Sequence, residues 1–174
     1  MALLSERVAK KPLHIVKGSD SDSTVAEKVA TVLAGLGFYG VPDHTLSCHR
    51  HPRITDMFAQ DFEGKAVICV GGMSFQLPAV LDSWFRDLGK HVVIWGIPVS
   101  DKPEEIEVTV SAMRDLPSPC LVHWAPDNSD ESIQEVAKAA VGYANGTSVP
   151  KGESSADWQR RLDDHRSRTP RIAN

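Results

Sequence analysis

The chain is punctuated by short apolar runs with helical patterns between them. Residues 66–70, Ala-Val-Ile-Cys-Val, are apolar at every position, as a strand covered on both faces must be. Residues 91–97 form a second such run, and residues 13–17 a shorter, β-branched one that stops at Gly18. Weaker strands are predicted around residues 39–45 and 120–124. Between the strands the apolar period lengthens. Val25, Val29, Val32, Leu33 and Leu36 share one helix face, and Gly35 and Gly37 mark its end. Residues 53–62 read as a helix with Ile54, Met57, Phe58 and Phe62 on one side. Residues 77–88 read as another, its start limited by Pro78. Ser100 and Asp101 are placed to cap a helix with Pro103, Glu104 and Glu105 in its first turn. Residues 129–143 open with Asp130 and Glu131 and turn Ile133, Val136, Ala137, Ala140 and Val141 inward.

Five strands alternating with helices predict an α/β fold with a parallel sheet and right-handed crossovers. The domain spans residues 13–145. Residues 146–174 are a linker and a C-terminal helical arm, in which Trp158 and Leu162 sit at i, i+4 and could dock on a neighbouring subunit. The competing reading of that arm is a solvated helix. In a sheet of this kind ligands bind beyond the C-terminal strand ends, at a topological switch point. Three polar loops fall there, at residues 18–22, 47–52 and 71–76, after strands one, two and three.

Composition narrows the class. The 174 residues are 41% apolar and 24% charged, which fits a globular protein and not a disordered one. Nineteen Lys and Arg against 23 Asp and Glu give a net charge of −4, so there is no basic excess for nucleic acid. No apolar run approaches the roughly 18 residues of a membrane helix. Residues 1–12 lack the roughly 7–15-residue apolar stretch of a secretory signal. The three cysteines, Cys48, Cys69 and Cys120, show no zinc spacing. They fit free thiols in a reducing cytoplasm, with Cys69 and Cys120 packed in the core.

The first loop, Gly18-Ser19-Asp20-Ser21-Asp22, precedes a helix. Its hydroxyls and N–H groups suit an anion, especially phosphate, and its acids suit sugar hydroxyls. Helix capping alone would also explain it. It has neither a dinucleotide nor a P-loop fingerprint. The second loop brings together Ser47, His49 and Arg50. Arginine suits phosphate, and histidine can move a proton near neutral pH. His44, His49 and His51 form only a weak metal pattern, and no metal is assigned. Cys48 beside His49 raises a thiol-nucleophile reading, but neighbours in an extended loop point opposite ways, so Cys48 is expected to pack inward. The third loop, Gly71-Gly72-Met73-Ser74-Phe75-Gln76-Leu77, lets backbone approach a ligand or a neighbouring chain. Met73 and Phe75 are large and apolar for a turn, and fit a pocket wall or an interface.

In this order the loops resemble the PurE family, the aminoimidazole ribonucleotide carboxylases and N5-carboxyaminoimidazole ribonucleotide mutases of purine synthesis. The family's G-S-x-S-D motif is intact at Gly18-Ser19-Asp20-Ser21-Asp22. Its S-A-H-[RK]-x-P motif stands as Ser47-Cys48-His49-Arg50-His51-Pro52, with Cys48 for the usual alanine. The third, Gly-rich motif ends in Gln76-Leu77-Pro78, with Gln76 where the bacterial mutases have histidine. The resemblance implies a three-layer α/β/α flavodoxin-like fold and a homo-octamer. It implies that Ser19, Asp22, Ser47 and Arg50 hold a ribose 5-phosphate, with Gly18, Asp20, Gly71, Gly72, Met73, Ser74, Gln76 and Leu77 completing the substrate site. It implies that His49 is the acid/base, handling the proton at carbon 4 of an aminoimidazole that captures carbon dioxide. No metal, biotin, ATP or other cofactor is implied. Gln76 cannot transfer a proton but can donate a hydrogen bond to a carboxylate. The third loop is also similar to that of the PurE-like carboxylase of nickel-pincer cofactor synthesis. Two further readings therefore stand beside purine synthesis. One is a carboxylase or decarboxylase of another heteroaromatic ribonucleotide, and the other is a non-catalytic nucleotide-binding module.

Overall fold

Residues 11–72, 75–116, 120–148 and 155–167 are described by the structure, a computed structural model. The apolar runs form parallel strands β1 (Leu13–Lys17), β3 (Ala66–Gly71) and β4 (Val93–Pro98). Every residue of β3 and β4 is buried, as the unbroken apolar sequence requires. Two three-residue strands, β2 (Asp43–Thr45) and β5 (Val122–Trp124), close the edges. Both are shorter than the sequence predicts, because each has only one neighbour to pair with. The order is β2-β1-β3-β4-β5, the flavodoxin-like arrangement.

Helices cover both faces. On one lie α1 (Ser23–Gly35) and α5 (Asp130–Ala144). They pack Val25, Val29, Leu33, Ile133 and Ala137 onto Ile15, Ile68, Val93 and Ile97. On the other lie α2 (Pro52–Asp61), α3 (Leu77–Asp87) and α4 (Pro103–Arg114). There Ala59, Leu77, Leu81, Phe85 and Met113 meet Val16, Val67, Cys69 and Ile94. A last helix, α6, spans Ser155–Ser167.

Two expectations need correction. Phe58 and Phe62 pack into the core as expected, with Thr55 and Ala59 beside them, while Ile54 and Met57 are 51% and 50% exposed. Thr55 can be buried because its hydroxyl donates to the His51 carbonyl at 3.3 Å, and Ala59 lets the helix approach the sheet closely. At α4 the capping position is Lys102, not Ser100 or Asp101. Ser100 instead accepts from the Lys102 N–H at 3.1 Å and donates to Glu105 at 2.6 Å.

Candidate functional site

From β1 the chain runs outward to β2, then returns to β3 on the other side of β1. The switch point therefore lies between β1 and β3, where side-by-side strands send their loops in opposite directions. Two backbone bonds fix where the loops leave the sheet. Gly18 N–H donates to the Val70 carbonyl at 3.0 Å, and Leu46 N–H donates to the Lys17 carbonyl at 2.8 Å. The three polar loops thus start from one level of the sheet.

They enclose a cavity of about 280 Å³ lined by Gly18, Ser19, Ser21, Asp22, Leu46, Ser47, Cys48, His49, Arg50, Gly71, Gly72, Phe75, Gln76 and Leu77. In the first loop Asp22 is 5% exposed. Its Oδ2 accepts from the Ser19 N–H at 2.9 Å and the Ser19 hydroxyl at 3.0 Å. Burial pushes its carboxyl above the usual value, against the Ser19 and Ser21 bonds and the nearby Arg50 charge. The carboxylate is thus held at the cavity wall by the first loop's own donors. Ser19 and Ser21 hydroxyls lie 2.6 Å apart. In the second loop both the backbone N–H and Nε of Arg50 donate to Ser47 Oγ at 3.2 Å, and Nη2 donates to the Gly18 carbonyl at 3.4 Å. The guanidinium thereby ties loop two to loop one. Arg50 and Gln76 are exposed at the cavity mouth, and His49 also faces the cavity. The third loop begins with Gly71, where the Phe75 ring fills the space a Cβ would need.

Asp20 stands outside this lining: it is exposed and accepts from the Thr45 hydroxyl at 3.3 Å. Met73 and Ser74 lie outside the described residues. Ser21, Leu46 and Cys48 join the lining although the sequence assigns them no binding role, and Phe75 stands in it as the pocket wall its place in a turn suggested. Ser21 sits within the first motif. Leu46 is an apolar residue beside a polar loop, and that contrast, which marked Phe75, is the signal that could have found it. Cys48 is half-buried against the core, as expected, and burial raises its thiol pKa, which disfavours the thiolate. His44 stacks on His14 with centroids 5.1 Å apart and a ring nitrogen contact of 3.0 Å. Among the described residues no group of three His, Cys, Asp or Glu could hold a metal ion, and no helix is long and apolar enough to cross a membrane.

The fold and the cavity define an open-sheet α/β protein with a candidate small-ligand site at its switch point. Residues 12–140 match the AIR carboxylase family, and the chain belongs to that family. Among solved structures, Treponema denticola PurE superposes with a TM-score of 0.61 at 14% identity, covering 89% of this chain and 89% of that one. A serine-to-aspartate variant of Treponema denticola PurE2 gives 0.62 at 14% identity, covering 89% and 88%. At that identity the likeness concerns the fold. No curated protein sequence matches the chain.

Proposed function

We propose that the protein is a PurE-like enzyme that carboxylates, or transfers a carboxyl group to, carbon 4 of 5-aminoimidazole ribonucleotide, giving 4-carboxy-5-aminoimidazole ribonucleotide in purine synthesis. The observation that carries this reading is the meeting of Ser19, Ser47, Arg50 and His49 around one cavity in a chain of the AIR carboxylase family. Ser19, Ser47 and Arg50 take the phosphate, to which a guanidinium and hydroxyl donors are suited. Asp22 accepts from the ribose hydroxyls. Carbon 4 of the electron-rich ring attacks carbon dioxide, forming the new C–C bond, and His49 takes the proton that leaves carbon 4. Gln76 donates to the new carboxylate, and the third loop excludes water from it. Gly18, Gly71, Gly72 and Leu77 let backbone and apolar surface close on the ligand, with Met73 and Ser74 completing that loop.

Incubation with 5-aminoimidazole ribonucleotide plus bicarbonate, and separately with its N5-carboxy form, tests this by direct product detection. Turnover of the first alone makes the protein a carboxylase, and turnover of the second makes it a mutase. His49→Asn should lose about 10²–10⁴-fold in rate while still binding ribose 5-phosphate. Full activity in that variant sinks the mechanism. Gln76, in place of a proton-carrying histidine, favours a second reading: carboxylation or decarboxylation of another heteroaromatic ribonucleotide. No turnover of either purine intermediate, with ribose 5-phosphate still bound, would select it. The free cysteines fit a reducing cytoplasm. Exposed Ile54 and Met57 on α2 fit burial in a homo-oligomer, an octamer by family resemblance.

A further inference from the structure

We propose that the buried His14–His44 pair is an acid-sensitive latch on the second loop, holding the loop in the site while the pair is neutral and releasing it when both rings take protons.

The backbone of β2 is a weak anchor. The strand has three residues and pairs only with β1. Asp43 and Thr45 are exposed, so His44 alone of the three turns into the protein. The register sets it beside Val16, on the face of the sheet that α2 covers. Leu46, two residues on, already lines the cavity, and His49 follows three residues later. So short an edge strand draws little from its ladder, and the seat of the His44 ring decides whether the second loop keeps its place.

That seat is aromatic and dry. His14 is 2% exposed. Its Nδ1 lies 3.0 Å from His44 Nε2, with the two rings parallel to within 8°. Phe62 meets the His14 ring edge-on at 4.8 Å, and Phe58 covers the His44 ring at 4.9 Å. Phe85 of α3 stands behind both phenylalanines. In the neutral pair one ring donates and the other accepts. A first proton can sit on an outward nitrogen and leave that bond intact. A second must go on the accepting nitrogen, and it sets two N–H groups and two positive charges against each other. β1 is held by a strand on either side, so the edge strand is the half that gives way. On β2 the Asp43 charge favours the His44 cation, but it is ion-paired to Lys17 of β1 at 2.6 Å. α2 presents Phe58 and Phe62 to the pair. Of its charged residues Arg53 is exposed, Asp56 accepts from Gln60 at 2.9 Å, and Asp61 acts on Lys90. Burial outweighs Asp43 and holds His44 below its ordinary 6.5, so the latch is shut at neutral pH and opens on the acid side.

Amide hydrogen exchange of the full chain between about pH 7 and about pH 5 tests this without any ligand, so the result does not depend on the ribonucleotide reading. The reporters are Leu46, whose N–H donates to the Lys17 carbonyl at 2.8 Å, and His51, whose N–H donates to the Ser47 carbonyl at 2.8 Å. Ile68 in the middle of β3 reports opening of the whole fold. With the pH dependence of exchange itself divided out, Leu46 and His51 should lose protection relative to Ile68 below about 6.5, by about tenfold per pH unit for each proton the open form takes up. His44→Gln keeps a polar partner for His14 that cannot charge, and its loop should stay protected with a slope close to zero. His14→Phe removes the facing charge and should give a slope shallower than the wild type. A wild-type loop that tracks Ile68 across the range overturns the latch, and so does an undiminished slope in His44→Gln. If His44→Gln leaves the loop unprotected at every pH, His14→Phe decides, and a slope as steep as the wild type's overturns the proposal.

Discussion

Asp22 and His123 are both titratable side chains set back from solvent, and burial affects them with opposite signs. The Asp22 carboxyl is raised above 3.8, chiefly by desolvation. The folded state therefore holds its proton more tightly than the unfolded chain. The associated stability is complete below 3.8 and is lost as pH rises through the folded value. At neutral pH the charged form costs stability. Asp22→Asn keeps an oxygen for both Ser19 donors and removes that charge. We expect its melting temperature to hold or rise, by on the order of 0.5–1 kcal/mol in stability, while affinity for the ribonucleotide falls about tenfold. A variant that both melts lower and binds normally would contradict this. His123 is pushed down to about 4, first by burial and then by the Arg161 charge. Its folded pKa lies below the 6.5 of the free side chain, so its stability is present above 6.5 and is lost as pH falls toward 4. Burial lowers His44 in the same direction. Thermal melts across that window should show a falling midpoint that His123→Gln flattens. The effect is at most about 3 kcal/mol at one pKa unit per 1.36 kcal/mol.

At the scale of elements, α2 sets the aim of the second loop, because it begins at Pro52 directly after the residues that carry His49 and Arg50. Its far end is held by one side chain. Lys90 Nζ donates to the carbonyls of Ala59 at 2.8 Å, Gln60 at 2.5 Å and Phe62 at 2.9 Å, satisfying the last turn with a cation where the helix dipole is negative. Lys90→Met leaves those carbonyls to water and should cost about 2 kcal/mol, or roughly 4–8 °C, and should weaken ribonucleotide binding as α2 loosens. An unchanged melting temperature would show that the cap contributes nothing. α2 also shows where reading a sequence fails. β1, β3 and β4 were legible because a strand buried on both faces leaves few polar positions to confuse the period. The loops of the candidate site were legible because they leave strands one, two and three at their C-terminal ends, and the switch point gathers those ends in one place. The face of α2 was not legible, since a Thr55 hydroxyl satisfied by a carbonyl one turn back reads as polar and is nevertheless buried. Phe75 was visible as a large apolar residue in a turn, but its seat depends on Gly96, which a different strand brings beneath it.

For the whole molecule, the question is what the C-terminal arm adds to the sheet domain. Residues 151–174 carry six Lys and Arg against four Asp and Glu, a net of +2, while residues 1–150 carry 13 against 19, a net of −6. The arm and the body are thus of opposite sign. Arg161 of α6 donates to the Cys120 carbonyl just before β5 and disfavours the charged form of His123, so the helix already meets the body through a cation. The side chains of Trp158 and Leu162 lie outside the described residues. A basic arm and an acidic body are suited to joining one subunit to the next, with attraction that salt weakens. Deleting residues 151–174 should therefore lower the mass in solution measured by light scattering, and raised salt should move the full chain in the same direction. The deletion should also make the acid loss of stability at His123 shallower, because without Arg161 its pKa moves back toward 6.5. An assembly of unchanged mass after deletion, or a full chain that is monomeric at low salt, would exclude the arm from any role in joining subunits. A smaller assembly with an unaltered acid profile would leave the docking role intact and remove only the coupling between Arg161 and His123.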